Sequence, residues 1–456
     1  MKKNVMDMTR GPIMPQLVKF GTPVLLGMLF QRIYNFVDVF IVGRYLGDEA
    51  LAAVSIAGSA MYLLMSLMMG LTTGVSIVIS QYYGAGNEQK VRQTFASSIF
   101  VAIGAAAMIT VFGMLGAKGL LGLLHTSDEL LPMAHEYLMI IFAGCAGTML
   151  YNWISAVMRS LGNSVVPLVF LIVSSVLNVI LDILLIAVIP MGVAGAALAT
   201  VLAQTISGVL CLVYAFKVLP LLRLKRGELR MDVHLAKQIL VFGIPTGLQM
   251  SIISISDMAL QSKINTYETA LIVAYGVATK VEFLGWQLAE AIGTAVGTFV
   301  GQNVGAGRLD RVQEGVKKGM TAGLLVATVL VAGILIFGEN LMRMFTETQE
   351  VVSLGVHMLH ILAVGYIAMA VTQSLSGVMR GAGDTMTPMW ISLITTIIIR
   401  MPLAYGLAFL TRSEAMPNGN PDSLFISLLV SWVMGALLTT IAYRRGKWRK
   451  LASVKI

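Results

Sequence analysis

The chain has 456 residues, of which 57% are hydrophobic and only 12% are charged, with a net charge of +9 and a mean hydropathy of +0.82. Soluble domains carry about 25% charged residues, so a soluble protein of this length could not bury so much apolar surface, and lipid must be the solvent for much of it. The positive charge lies in short clusters between apolar segments, and the absence of a soluble basic domain argues against nucleic-acid binding.

Twelve apolar segments are long enough to be transmembrane helices, which need about 20 mainly apolar residues. They predict an all-α polytopic membrane protein. The predicted spans are 16–40, 51–80, 93–117, 131–157, 165–189, 193–216, 237–262, 270–300, 316–338, 351–378, 387–410 and 424–443.

The loops between these spans differ in basic charge and so predict the orientation. With the N-terminus inside, the inside segments hold 24 Lys and Arg residues and the opposite loops hold 5. By the positive-inside rule, both termini are then cytoplasmic. We therefore expect a multi-pass protein of the inner (cytoplasmic) membrane.

The two halves of the sequence repeat one another, and three separate motifs recur at nearly one offset. Such a duplication predicts two pseudo-symmetric six-helix lobes, related by an axis along the membrane normal, with a central cleft between them. We expect an N-terminal lobe at 1–216, a basic cytoplasmic linker at 217–236 and a C-terminal lobe at 237–456. The paired motifs are 20–23 with 242–245, 81–86 with 302–307, and 158–167 with 379–388.

Two of these motifs are glycine-rich, Gly84-Ala85-Gly86 and Gly305-Ala306-Gly307. Fragments of a phosphate-binding loop would look similar, but no strand precedes either motif, and each follows the end of a predicted span. We therefore predict that both are helix C-caps.

Carboxylates inside apolar spans are costly and are functional candidates by default. Asp38 lies near the end of the first span, with Gln31 and Tyr34 on the same helical face, at seven and four residues before it. Asn178 and Asp182, at i and i+4 in the fifth span, also share a face.

Together with Thr200 of the sixth span, these side chains supply hard oxygen ligands for a small cation. They suit a proton site equally well. The alternative is structural, with Asp38 and Asp182 pairing with Arg32 or with helix ends. Neither aspartate has an acidic counterpart at the repeat offset, so we expect ion coupling to reside in the first lobe.

The first-span run Gln31–Gly43 (QRIYNFVDVFIVG), the following Leu46-Gly47 and the repeated motifs resemble the multidrug and toxic compound extrusion (MATE) family. The resemblance covers nearly the whole chain. It implies a V-shaped pair of lobes and export of cationic or amphipathic compounds, driven by inward movement of Na⁺ or H⁺.

The resemblance also assigns roles to residues of the first lobe. It implies a cation site at Tyr34, Asp38, Asn178, Asp182 and Thr200, with Na⁺ as one candidate ion at the last four of these. It places Gln31 beside that site, and it places Pro23 at a first-helix kink that moves with protonation or substrate.

A second group of polar residues lies on one helical stripe of the eighth span, where Glu282, Trp286 and Glu290 follow one another at four-residue steps. A carboxylate beside an indole could hold an organic cation in the substrate cleft. The alternative is that Glu282 or Glu290 pairs internally with Lys280 or Arg400.

The function predicted from these features is multidrug efflux by antiport and alternating access, by a chain that acts as a monomer in the lipid membrane. No cofactor is expected apart from the coupling ion, H⁺ or Na⁺. The alternative is a lipid-linked oligosaccharide flippase of the same wider superfamily, although the spans hold few basic residues. An enzyme is not expected, because no HExxH or comparable motif is present.

Overall fold

The computed structural model describes residues 5–124, 126–225, 227–414 and 416–453, without the side chains of residues 63, 64 and 453. Arg226 of the predicted linker and Lys455 of the C-terminal basic cluster lie outside the described residues. The described part of the chain is helical and contains no strand. Helices suit a bilayer because they satisfy their backbone hydrogen bonds internally, where hydrocarbon offers no partners.

The described residues of the first half of the chain form seven α-helices. The sixth runs directly into a π-helical segment at Ile183–Val188, and a short 3-10 turn at Pro220–Leu222 follows the seventh. The helices are α1 Ile13–Leu46, α2 Asp48–Gly84, α3 Glu88–Leu123, α4 Leu131–Ala143, α5 Cys145–Ser160, α6 Val165–Asp182 and α7 Val193–Val218.

In the second half, the part of the chain that the structure describes forms eight α-helices. Between the fifth and sixth of them lies another π-helical segment, Leu393–Arg400, so that the three pieces form one span. The helices are α8 Val233–Ile264, α9 Thr269–Gly305, α10 Leu309–Arg343, α11 Gln349–Gly381, α12 Met386–Ser392, α13 Met401–Leu410, α14 Asp422–Arg445 and α15 Lys447–Ser453.

About twelve membrane spans are confirmed. Among the described residues, nine helices are long and apolar enough to cross a membrane, and the number rises to eleven when the bent α2 and the bent pair of α4 with α5 are each counted as one span. The remaining predicted span is α9, which is 37 residues long but carries Lys280, Glu282 and Glu290.

The predicted single helix at 131–157 is instead two helices, α4 and α5, that meet at Gly144 with a bend of 51°. Glycine weakens a helix, and a Cβ atom at this position would lie 2.3 Å from Cγ1 of Val201. The missing side chain therefore lets α7 pack directly against the bend.

The two glycine-rich motifs are helix C-caps, as predicted. Gly86 and Gly307 have φ angles of 70° and 68°, in the left-handed region that favours glycine. The N–H groups of Asn87 and Arg308 donate to carbonyl oxygens five residues earlier, at 3.1 and 2.8 Å. This is the hydrogen bond that closes a Schellman motif.

The described chain divides into two compact units. The first contains residues 5–10 and 19–247, and the second contains residues 11–18 and 248–453. Each unit has its own buried apolar cluster. Phe95 and Trp153 stack in the first, with ring centroids 5.1 Å apart, and Tyr366 and Trp432 pack in the second at 5.8 Å. The lobe and linker boundaries expected from the repeat stay a prediction.

Glycine pairs let helices approach closely within each unit. In the first, Gly70 and Gly74 of α2 face Gly243 and Gly247 of α8, and a Cβ at Gly70 would lie 2.3 Å from the backbone N of Gly247. In the second, Gly293 and Gly297 of α9 face Gly377 and Gly381 of α11. A Cβ at Gly377 would lie 2.3 Å from the Gly293 carbonyl oxygen. Small residues at four-residue spacing are typical of close helix contacts in membranes.

Gly70→Ala should lower the free energy of unfolding by about 1–3 kcal/mol, the range for overpacked contacts. The added methyl group meets backbone atoms of α8, which cannot rotate away. The measurement is the thermal unfolding midpoint in detergent. Gly58→Ala is the matched control, because a Cβ there meets no atom within 4 Å. Equal midpoints for the two variants would contradict the close α2–α8 contact.

Candidate functional site: a buried acid pair and a buried arginine

Two aspartates lie together inside the first unit. Asp38, on α1, is 7% exposed, and Asp182, the last residue of α6, is 0% exposed. Their carboxyl groups lie close enough to interact directly. Asp182 also marks the point where α6 becomes the π-helical segment. Single π-helical turns are rare and frequently occur at functional sites.

The polar neighbours predicted from spacing converge on this pair. The side-chain amide of Asn178, one turn before Asp182, donates to the hydroxyl of Thr200 at 3.4 Å. Tyr34, one turn before Asp38, also contacts that hydroxyl. Three helices, α1, α6 and α7, thereby bring five of the predicted side chains to one place.

The carboxylates have few hydrogen bonds to protein groups. Within the described residues, both carboxylate oxygens of Asp182, Oδ1 of Asp38 and Oδ1 of Asn178 are buried without a partner at ordinary hydrogen-bond distance. Two adjacent carboxylates in such surroundings cannot both be charged unless a cation lies between them. The pair is therefore suited to hold one proton or one small cation.

Tyr137 of α4 is a neighbour that the sequence analysis missed. It is 5% exposed and lies within electrostatic reach of Asp38, Asp182 and Tyr34. The chain has 13 tyrosines, and nothing in the α4 sequence marks this one as part of a polar site.

The other two predicted residues of the first lobe, Gln31 and Pro23, are less buried than the acid pair. Gln31 is exposed, unlike Tyr34 and Asp38 on the same helix. Pro23 lies inside α1, as the predicted kink requires, and is half-buried. Proline removes one helical hydrogen bond and favours bending at its position.

The second unit contains an ion pair that the sequence analysis did not identify. The Nη1 atom of Arg400, at the end of the second π-helical segment, donates to Oδ1 of Asp257 at 2.8 Å. The Arg400 side chain is 4% exposed and that of Asp257 is 57% exposed. An intramembrane arginine needs a partner, but the partners expected for Arg400 from the sequence were only Glu282 and Glu290 of the eighth span.

Those two glutamates have different surroundings. Glu290 accepts a hydrogen bond from Nε2 of Gln373 at 2.9 Å. Glu282 lies within electrostatic reach of Arg400 and Asp257 but has no ion pair within the described residues. Lys280, the other proposed partner, lies over the ring of Phe345 at 5.1 Å.

A cavity of about 60 Å³ lies within the second unit, which is room for several water molecules. Trp286 lines it, whereas Glu282 and Glu290 do not. Its other lining residues come from α8, α11, α12, the π-helical segment and α14. They are Gln249, Ile253, Met369, Thr372, Gln373, Ser392, Thr395, Thr396, Arg400, Ser431, Trp432 and Gly435.

The polar groups do not form a site of the transition-metal type. Among the described residues, no three His, Cys, Asp or Glu side chains cluster so as to hold a metal ion. Cys145 and Cys211 are buried and free. The oxygen-rich first-unit site is of a different kind, because amide and hydroxyl oxygens contribute to it alongside two carboxylates.

Comparison with known proteins accounts for both the fold and the repeat. The family model described as MatE matches residues 23–184 and, a second time, residues 245–406. The chain belongs to the MatE family. Its two MatE segments begin 222 residues apart, which confirms the internal duplication. MatE proteins are multi-pass membrane transporters, so this chain is not an enzyme.

Individual MatE relatives match over nearly the full length. "Probable multidrug resistance protein YpnP" of Bacillus subtilis is 30% identical over 450 residues, covering 98% of both chains. "Probable multidrug resistance protein NorM" of Thermotoga maritima is 24% identical, covering 96% of this chain and 94% of that protein. A solved outward-facing MATE family transporter has a TM-score of 0.89 at 21% identity and 99% coverage of both chains. This likeness shows the fold.

Proposed function

We propose that the chain exports cationic or amphipathic organic compounds by antiport with inward H⁺ or Na⁺. The buried acid pair Asp38–Asp182 is the observation that carries the proposal, because it needs a proton or a cation to be stable. The names of its relatives YpnP and NorM, both described as probable multidrug resistance proteins, support organic compounds as the cargo.

In the proposed cycle, an ion from outside binds at Asp38 and Asp182, with Asn178 and Thr200 as further oxygen ligands if the ion is Na⁺. Ion binding changes the hydrogen bonding of α1 at Tyr34 and Asp38, and Pro23 lets the helix bend in response. Drug release to the outside and ion release to the cytoplasm alternate. The membrane potential assists inward ion movement by about 2.3 kcal/mol per charge per 100 mV.

We also propose that the chain acts as a monomer in the cytoplasmic membrane. One chain already contains both halves of the duplicated transporter. Both termini and the basic linker then face the cytoplasm, as the distribution of Lys and Arg predicts.

The coupling ion can be identified in proteoliposomes loaded with ethidium. We expect efflux under an imposed Na⁺ gradient or an imposed pH gradient, but not in their absence. The gradient that drives efflux identifies the coupling ion as Na⁺ or H⁺. If neither gradient moves ethidium, drug antiport is contradicted, and a lipid-linked substrate becomes the better explanation.

Asp182→Asn should reduce gradient-driven efflux at least a hundredfold while the protein still folds. Asparagine keeps the shape of the side chain but cannot bind and release a proton or compensate a cation. Efflux rate is compared with that of Asp48→Asn, which makes the same change at an exposed carboxylate in the first turn of α2. Efflux near the wild-type rate in Asp182→Asn would remove this residue from ion coupling.

Labelling with a membrane-impermeant maleimide tests the orientation. Cys145 and Cys211 are 0% exposed, so the native chain should react little. We expect Glu347→Cys, in the loop between α10 and α11, to be labelled in intact cells. Arg230→Cys, in the linker, should be labelled only after the membrane is opened. The reverse pattern would contradict cytoplasmic termini.

A further inference from the structure

A dense group of basic side chains lies where α14 ends and α15 begins. Residues 423–456 contain six Lys and Arg residues and no Asp or Glu, and five of the six lie within positions 444–450. All five side chains are exposed. We call them the 444–450 cluster, which consists of Arg444, Arg445, Lys447, Arg449 and Lys450.

The length of α14 places this cluster at the membrane surface. The helix has 24 residues, which is about 36 Å of helix, whereas the hydrocarbon core is about 30 Å thick. Arg444 and Arg445 are its last two residues, and Tyr443 precedes them. Tyrosine and tryptophan are enriched at the membrane–water interface. The cluster therefore begins at the depth of the lipid headgroups.

Trp448 fixes α15 against the end of α14. Its Nε1 donates to the carbonyl oxygen of Tyr443 at 3.0 Å, and the two rings stack with centroids 5.3 Å apart and an interplanar angle of 12°. The tryptophan is 1% exposed, and the guanidinium of Arg449 lies over its ring, 5.3 Å from the centroid. The basic side chains of α15 are thus held in place beside the last turn of α14.

The acidic side chains of the described residues compensate little of this charge. Arg444 and Arg445 have no hydrogen bond or ion pair with a described residue. Lys447 lies 3.8 Å from Oδ1 of Asp384, but that carboxylate is only 2% exposed, and its Oδ2 already accepts from the hydroxyl of Thr387 at 2.8 Å. An excess of exposed positive charge therefore remains at the cluster.

The basic linker of the first unit differs, because its own carboxylates lie beside basic residues. Asp232 lies 3.8 Å from Lys90. Glu228 lies 3.7 Å from Arg92. Arg223 is also used within the protein, since it donates to two carbonyl oxygens at the end of α7, at 2.7 and 2.8 Å. The positive-inside rule predicts basic residues in both places, but it does not account for a cluster that is both held in place and poorly compensated.

We propose that the 444–450 cluster binds the headgroups of anionic phospholipids. The guanidinium groups of Arg444, Arg445 and Arg449 donate to phosphate oxygens, which the planar fork of arginine suits well. Leu451, which is 42% exposed, contacts the adjoining acyl chains. A lipid phosphate is favoured over a soluble one because the cluster lies at headgroup depth beside an exposed apolar side chain. The proposal goes beyond the export function and does not depend on it.

The test measures lipid binding to the purified full-length chain in detergent by native mass spectrometry. We expect dioleoylphosphatidylglycerol to bind roughly tenfold more tightly than dioleoylphosphatidylcholine, because several basic side chains act on one headgroup. The preference should shrink as the ammonium acetate concentration is raised, since exposed charges are screened by salt. Equal affinity for the two lipids would overturn the proposal.

A triple variant assigns the preference to the cluster. Arg444→Gln, Arg445→Gln and Arg449→Gln together should bring the ratio of the two affinities close to one. Because all three side chains are exposed, the variant should fold, and its thermal unfolding midpoint checks this. A preference for phosphatidylglycerol that survives in the folded triple variant would overturn the proposal.

A second triple variant is the matched control for net charge. Lys217→Gln, Lys225→Gln and Arg230→Gln together remove three exposed basic side chains at and within the linker of the first unit. We expect this variant to keep the preference of the wild-type chain. If it loses as much of the preference as the cluster variant does, net charge alone explains the binding and the proposal is overturned.

Trp448→Ala tests whether the position of the cations matters, because it changes no charge. Loss of the stacking on Tyr443 and of the contact with Arg449 should reduce the preference several-fold. Trp448→Phe keeps an aromatic ring at the same place and should retain most of the preference. An unchanged preference in Trp448→Ala would overturn the proposal, since loosely held charge would then be sufficient.

Competition distinguishes a lipid from other phosphate compounds. An excess of sn-glycerol 3-phosphate, which has the phosphate ester but no acyl chains, should leave phosphatidylglycerol bound. Displacement by it would overturn a lipid site in favour of a soluble phosphate ester, and displacement by a short oligonucleotide would do so in favour of nucleic acid. Because no ion gradient is present, absence of coupled efflux would contradict only the proposed function.

Discussion

Hydrocarbon supplies no hydrogen bonds, and this constraint shapes the whole chain. Every described backbone segment long enough to span the membrane is helical, so that its N–H and C=O groups pair within the helix. Departures from regular α-helix are then costly and few. The π-helical segment Ile183–Val188 begins directly after Asp182, and the π-helical segment Leu393–Arg400 ends at Arg400. Irregular backbone and buried charge therefore occur together in both units.

The two halves of the chain match the same family model, but their buried carboxylates have different surroundings. In the first, Asp38 and Asp182 lie side by side, and no described basic side chain hydrogen-bonds to the buried oxygens. In the second, Asp257 has a fixed cation, Arg400, at 2.8 Å. A carboxylate pair without a fixed cation can exchange a mobile ion, whereas the carboxylate of Asp257 is already compensated by Arg400. Duplication followed by divergence would thus allow the two halves to perform separate tasks.

Much of the fold and part of the site could be predicted from the sequence. The spans follow from hydropathy, and spacing places Tyr34 with Asp38 and Asn178 with Asp182, because these pairs lie one turn apart on a helix. Tyr137 could not be predicted, since its approach to the acids depends on how α4 packs. The Asp257–Arg400 pair joins residues 143 positions apart, and no local pattern links them. The bend at Gly144 also depends on a partner helix, through Val201.

The glycine contacts bear on how each unit can move. Backbone meets backbone where Gly70 and Gly74 face α8, and again where Gly293 faces Gly377. If one helix slid along the other by a residue, side chains would replace the glycines at these contacts and would clash with the facing backbone. Shear between packed helices, one of the two common modes of domain motion, is thereby blocked within a unit. Each unit should consequently keep these helix contacts in register throughout transport, which leaves bending to positions such as Pro23 of α1 and the π-helical segments.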